Sequence, residues 1–76
     1  MIENSEEKFI RLAEKRVNNA IKAIRLIGNL SNRTNYTYSE KDIDRIFIAL
    51  NKELKVCQQR FKQSSTRQNE NFSLGK

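Results

Sequence analysis

Apolar residues recur along the first part of the chain at alternating spacings of three and four. We call these residues the apolar seam: Ile10, Ala13, Val17, Ala20, Ile24 and Ile27. This alternation is the a/d pattern of a coiled coil, in which one side of a helix packs against a neighbour. It predicts a first helix over about residues 5–29.

A second apolar group widens this face of the predicted helix. We call it the flanking patch: Phe9, Leu12, Ala23 and Leu30. At about 100° per residue, seam and patch together span roughly half of the helix circumference. A single neighbouring helix covers only part of such an arc, so the patch is predicted to contact a second copy or another protein. We favour a homodimer, because closed two-fold dimers are the commonest assemblies.

The signals at the ends of this helix agree with the prediction. Asn4, with Glu7 three residues later, resembles a capping box. The pair Gly28-Asn29 is typical of a helix C-terminus.

A second helix is predicted over about residues 40–62. Ser39 is its N-cap candidate with Asp42 at the third position, and Tyr38 and Ile43 occupy the positions of a hydrophobic staple. We call the apolar residues of this helix the second stripe: Ile43, Phe47, Leu50, Leu54, Cys57 and Phe61. We expect the thiol of Cys57 to be buried, because it lies on this stripe.

Two matched helices joined by a short polar connection predict an all-α fold, namely an antiparallel two-helix hairpin over residues 1–62. Folding back places the acidic start of the first helix near the basic end of the second, which favours this orientation. Two such hairpins could form a four-helix bundle. Residues 63–76 lack an apolar period and are predicted to be a disordered polar tail.

Composition narrows the chemistry open to this chain. It has 76 residues, no His, one Cys and a net charge of +6 from 15 Lys/Arg against 9 Asp/Glu. Without His, the commonest general base and the usual zinc sites are missing. We therefore predict no catalytic residues, no metal, no cofactor and no small-molecule substrate. Enzymatic activity would require a partner that supplies the chemistry.

Targeting signals are equally sparse. The N-terminus is acidic where a secretory signal would be basic, and no apolar run approaches the ~18 residues of a membrane span. We expect a cytoplasmic protein that does not enter a membrane.

Positive charge is concentrated on one side of the first helix. No acidic residue occurs from Lys15 through Ser39. Such a surface could follow a phosphate backbone or an acidic protein, although an amphipathic helix also needs a solvated face and Lys/Arg commonly fill it. We call the helical residues of this surface the basic stripe: Arg11, Lys15, Asn18, Lys22 and Arg25. Arg33, in the connection beyond the helix, is a further candidate for the same contact.

The connection between the helices is longer than a hairpin turn requires. Tyr and Arg are favoured at binding hot spots, so this segment is a candidate recognition site. Packing over the open end of the hairpin is the alternative for its exposed tyrosine. We call the candidate residues the recognition loop: Asn29, Asn32, Arg33, Asn35 and Tyr36.

These features predict a small, basic, non-enzymatic interaction or regulatory module. It would dock on a larger protein or nucleoprotein complex as an inhibitor or accessory factor. The alternative is a nucleic-acid-binding protein that uses the basic stripe of its first helix.

Overall fold

The structure, a computed structural model, describes the backbone of residues 3–74 and the side chains of residues 3–64. It contains two α-helices, α1 (Ser5–Gly28) and α2 (Glu40–Leu74), and a short 3₁₀ helix at Asn29–Ser31. No strand occurs between residues 3 and 74. The predicted all-α class with two helices is confirmed.

The chain divides into two units, Met1–Thr37 and Tyr38–Lys76, with one α-helix in each. Each unit is described by itself below. Antiparallel pairing of the two helices and their assembly into a four-helix bundle stay predictions.

The start of α1 is fixed by the predicted capping box. The Asn4 side-chain oxygen accepts a hydrogen bond from the Glu7 backbone N–H at 2.7 Å, and a Glu7 carboxylate oxygen accepts one from the Asn4 backbone N–H at 3.3 Å. The Lys8 N–H donates to the Asn4 carbonyl at 2.9 Å. The two capping-box bonds satisfy donors that a helix start otherwise leaves without partners, and the Lys8 bond is the first regular bond of the helix.

The end of α1 lies where it was predicted, but it differs in kind from the usual glycine stop. Gly28 has right-handed helical dihedrals, φ −59° and ψ −30°, and no described residue has a positive φ. The chain tightens into the 3₁₀ helix and leaves it at Asn32, whose φ is −70° and ψ 100°. The helix therefore ends by tightening, which uses none of the conformational freedom of glycine.

The start of α2 is a second reciprocal cap. The Ser39 backbone N–H donates to Asp42 Oδ2 at 2.9 Å, and the Asp42 N–H donates to Ser39 Oγ at 3.2 Å. The Ser39 backbone N–H, then the Ser39 hydroxyl and the charge of Arg45, hold the pKa of Asp42 below its ordinary value. The cap therefore favours an ionised Asp42.

The end of α2 lies beyond the predicted boundary at residue 62, because the helix continues to Leu74. Loss of the apolar period removes a reason for packing, but it does not interrupt backbone hydrogen bonding. No Pro or Gly occurs between residues 63 and 74 to break the helix. Side chains from residue 65 onward lie outside the described residues, and the disorder predicted for residues 63–76 stays a prediction.

No side chain among residues 3–64 is buried. Among the described side chains of α2, Ile43, Ile46 and Leu50 are half-buried, while the second stripe is exposed at Phe47 and from Leu54 onward. The burial expected for Cys57 is therefore wrong, since its thiol is free and exposed. An apolar period identifies a face of a helix, but it does not supply a surface that covers the face.

Replacement of Asn4 should destabilise α1. Asn4→Ala removes the side-chain acceptor of the capping box and is expected to cost about 1 kcal/mol of helix stability. Circular dichroism at increasing temperature measures this loss. Asn18→Ala, in the middle of the same helix, is the matched control and should not lower helicity, because alanine is the better helix former. Equal melting of both variants would contradict the cap assignment.

The α2 cap should weaken in acid. Because the pKa of Asp42 is lowered in the folded state, its contribution is fully present above the ordinary aspartate pKa, and it is lost as pH falls through the lowered value. The Ser39 amide resonance, followed by NMR during acidification, should shift with a midpoint below that ordinary value. Asp42→Asn should abolish this transition. A midpoint at or above the ordinary value would exclude the hydrogen bond.

Candidate interaction surfaces

The apolar face of α1 is accessible along its length. Ile10, Val17 and Ile24 of the seam are 51%, 55% and 53% exposed, and Phe9 of the flanking patch is 57% exposed. All these residues lie on one uninterrupted helix, so their spacing places them on one side of it.

An arginine lies within the flanking patch. Arg16 is seven residues from both Phe9 and Ala23, and a helix repeats its face at that interval. Its aliphatic stem can cover apolar surface while its guanidinium stays in water. The structure records no ion pair to Arg16 among the described residues. Arg16 was not among the residues predicted to bind a partner, although its heptad position indicates its place on the apolar side.

The N-terminal end of the basic stripe is neutralised within its own unit. Arg11 donates two hydrogen bonds to Glu3, from Nε at 2.9 Å and from Nη2 at 3.0 Å. This fork geometry is the strongest form of an arginine–carboxylate pair. Glu3 precedes the cap and lies eight residues from Arg11, outside the three- and four-residue spacings used to anticipate helical ion pairs. The pair was missed for that reason.

The rest of the stripe carries three positive charges on one side of α1. Lys15, Lys22 and Arg25 share one side of the helix with Asn18, and all four are exposed. The stripe runs for about 15 Å from Lys15 to Arg25 at the helical rise per residue. Its surface could contact several successive phosphates or a row of acidic side chains.

The recognition loop is organised by Asn32. The Asn32 carbonyl accepts hydrogen bonds from the backbone N–H groups of Asn35 at 3.1 Å and Tyr36 at 3.0 Å. The Asn32 side-chain oxygen also accepts one from the Thr34 N–H at 2.9 Å. Asn32, predicted as a recognition residue, therefore holds the turn, as short polar side chains commonly do.

The turn presents the side chain of Tyr36 to solvent. Tyr36 is 46% exposed, and Arg33 and Asn35 in the same turn are exposed. Asn29 caps the end of α1, where its backbone N–H donates to carbonyls of the last turn. The structure thus brings Asn32, Arg33, Asn35 and Tyr36 into one short turn, whereas Asn29 lies at the end of α1. Tyr36 is the exposed aromatic group of this turn.

An open depression lies on the described part of α2. Lys55, Gln58, Gln59 and Lys62 line an open, shallow depression that contains no carboxylate or thiol among these residues. Within the described residues, no three acidic, Cys or His side chains come together as metal ligands. Neither described helix has an apolar stretch long enough to cross a bilayer.

Comparison with known proteins gives no match to a protein family, a curated protein or a solved structure.

Proposed function

We propose that this protein is a small, non-enzymatic interaction module that docks on a larger protein or nucleoprotein complex and regulates or supports it. The observation that carries this proposal is the exposed apolar face of α1, which has no described buried residue behind it. Apolar area left in water is unfavourable by about 25 cal/mol per Å², and a partner removes that cost.

The flanking patch and the recognition loop are the proposed docking surfaces. Leu30 follows α1 and is 45% exposed, and Tyr36 lies a few residues further along the chain. An aromatic side chain on an ordered turn loses little conformational entropy when it enters a pocket. Arg16 within the patch favours a partner that combines apolar surface with a carboxylate.

Nucleic-acid binding is the second candidate function. Lys15, Lys22 and Arg25 are exposed on one side of α1, and no acidic residue occurs from Lys15 through Ser39. Positive charges arranged in this way gain affinity for a polyanion by release of its counterions.

Loss of Tyr36 should weaken docking. Tagged protein is used to capture a stoichiometric partner from its native extract, and the affinity of the purified partner is then measured by titration calorimetry. Tyr36→Ala is expected to reduce the affinity at least tenfold, which corresponds to about 1.4 kcal/mol or more for a hot-spot aromatic. Ile48→Ala is the matched control, because Ile48 is exposed on α2 away from the second stripe.

Equal losses of affinity in Tyr36→Ala and Ile48→Ala would show that the recognition loop is not part of the docking surface. Failure to recover any stoichiometric partner with wild-type protein would contradict the proposed function.

Nucleic-acid binding makes a separate prediction about charge. Fluorescence anisotropy with a duplex oligonucleotide at low salt should show binding whose logarithmic salt dependence has a slope of about −3, for three phosphate contacts. Lys15→Glu/Lys22→Glu should abolish it. Lys52→Glu/Lys55→Glu on α2 changes the same net charge and is the matched control.

The Glu3–Arg11 pair provides a further check within the same assay. Glu3→Gln frees Arg11, so it should strengthen binding and steepen the slope by about one contact. The absence of binding at low salt in all variants would exclude this second function.

A further inference from the structure

We infer that α1 pairs with α1 of a second copy of this chain, antiparallel, through the apolar seam. This inference rests on the proposed interaction function and names one of the module's partners. It assigns the seam to self-association and places the flanking patch at the border of the pair, where its outer edge stays open to another protein surface.

Side-chain size determines the register of this pairing. In an antiparallel pair each a position faces a d position of the other helix. Alignment of Ile10 with Ile27 of the second copy also aligns each seam alanine with a larger β-branched residue. The facing pairs are Ile10 with Ile27, Ala13 with Ile24, and Val17 with Ala20, whose residue numbers all sum to 37.

Other arrangements fill the interface less well. A parallel pair places Ala13 and Ala20 opposite their own copies, which leaves two thin layers beside layers of isoleucine and valine. Interiors are packed at near-crystalline density, so such gaps are costly. A shift of the antiparallel register by one heptad leaves either Ile24 and Ile27 or Ile10 and Ala13 without facing seam residues, depending on its direction. Among the antiparallel registers, only the proposed one pairs all six seam positions.

The distribution of charge along α1 favours the same direction. Residues 3–14 carry four acidic side chains against two basic ones, a net charge of 2 − 4 = −2. Residues 15–28 carry four basic side chains and no acidic one, a net charge of +4. Antiparallel pairing places each half beside the oppositely charged half of the second copy, whereas parallel pairing places like beside like.

The flanks of the seam accommodate this arrangement. In the proposed register Arg16 faces Ala23 of the second copy, and Glu14 faces Ile21, so no like charges meet at the borders. Seam residues Ile10, Val17 and Ile24 are each about half exposed, which leaves them accessible to a second helix.

Disulfide trapping tests both the pairing and its direction. Ala13→Cys and Ile24→Cys are made separately in full-length protein carrying Cys57→Ser, which removes the single native thiol. The two variants are mixed under reducing conditions and then oxidised gently. Circular dichroism verifies that both keep wild-type helicity, and mass spectrometry identifies each cross-linked product.

In the mixed product, position 13 of one variant is bonded to position 24 of the other. Antiparallel pairing predicts that the yield of this product is several-fold higher than random pairing of the two variants would give. Each variant alone should cross-link poorly, because equivalent residues then lie about 16 Å apart along the axis, beyond the reach of a disulfide. A control mixture of Asn18→Cys and Lys22→Cys, on the basic stripe, should give no preferred product. Dominant cross-links between identical residues would overturn the proposal in favour of parallel pairing.

Light scattering of the wild-type protein supplies the second measurement. A mass that rises with concentration toward twice that of the chain is expected, and a monomer at high micromolar concentration would overturn the pairing. Partner capture that still depends on Tyr36 would then show that the proposed function survives. Disulfide-trapped pairs without any captured partner would show that the pairing holds and that the proposed docking function fails.

Discussion

A helix satisfies its own backbone hydrogen bonds, but it cannot bury its own apolar face, and the other features of this protein depend on that limit. The face of α1 spans roughly half of its circumference, and none of the described side chains is buried. Packing on another surface is the main source of stability for a helix in water. The function of such a chain is therefore closely tied to whatever covers its apolar face.

The parts of the fold that follow from local chemistry were predictable from the sequence. Both helix starts depend on side chains within three residues of each other, Asn4 with Glu7 and Ser39 with Asp42, and the structure contains all four hydrogen bonds. Such caps need no tertiary context, because donor and acceptor are already neighbours in the chain. The helical face that carries each apolar residue follows from the same short-range periodicity.

The features that sequence reasoning missed are those that depend on distance or on a covering surface. Glu3 reaches Arg11 from outside the helix, so the usual spacing rules do not detect the pair. The role of Asn32 in the turn became visible only through the backbone bonds that converge on it. The exposure of Cys57 shows that membership of an apolar stripe does not establish burial.

Because α1 cannot bury its own apolar face, a protein partner and a nucleic acid differ in how much of that face they can cover. A nucleic acid contacts charge and could cover the basic stripe, but it leaves the apolar arc on the other side of α1 in water. A protein surface can remove that arc from water, and a second copy of α1 removes part of it. A protein surface that presents a carboxylate also accommodates Arg16. Nucleic-acid binding is therefore compatible with protein contact on α1 but cannot replace it. Self-pairing through the seam leaves the basic stripe outside the paired surface and places the flanking patch at its border, so one small chain could hold a copy of itself and a polyanion at once while the outer edge of the patch stays open to a second protein.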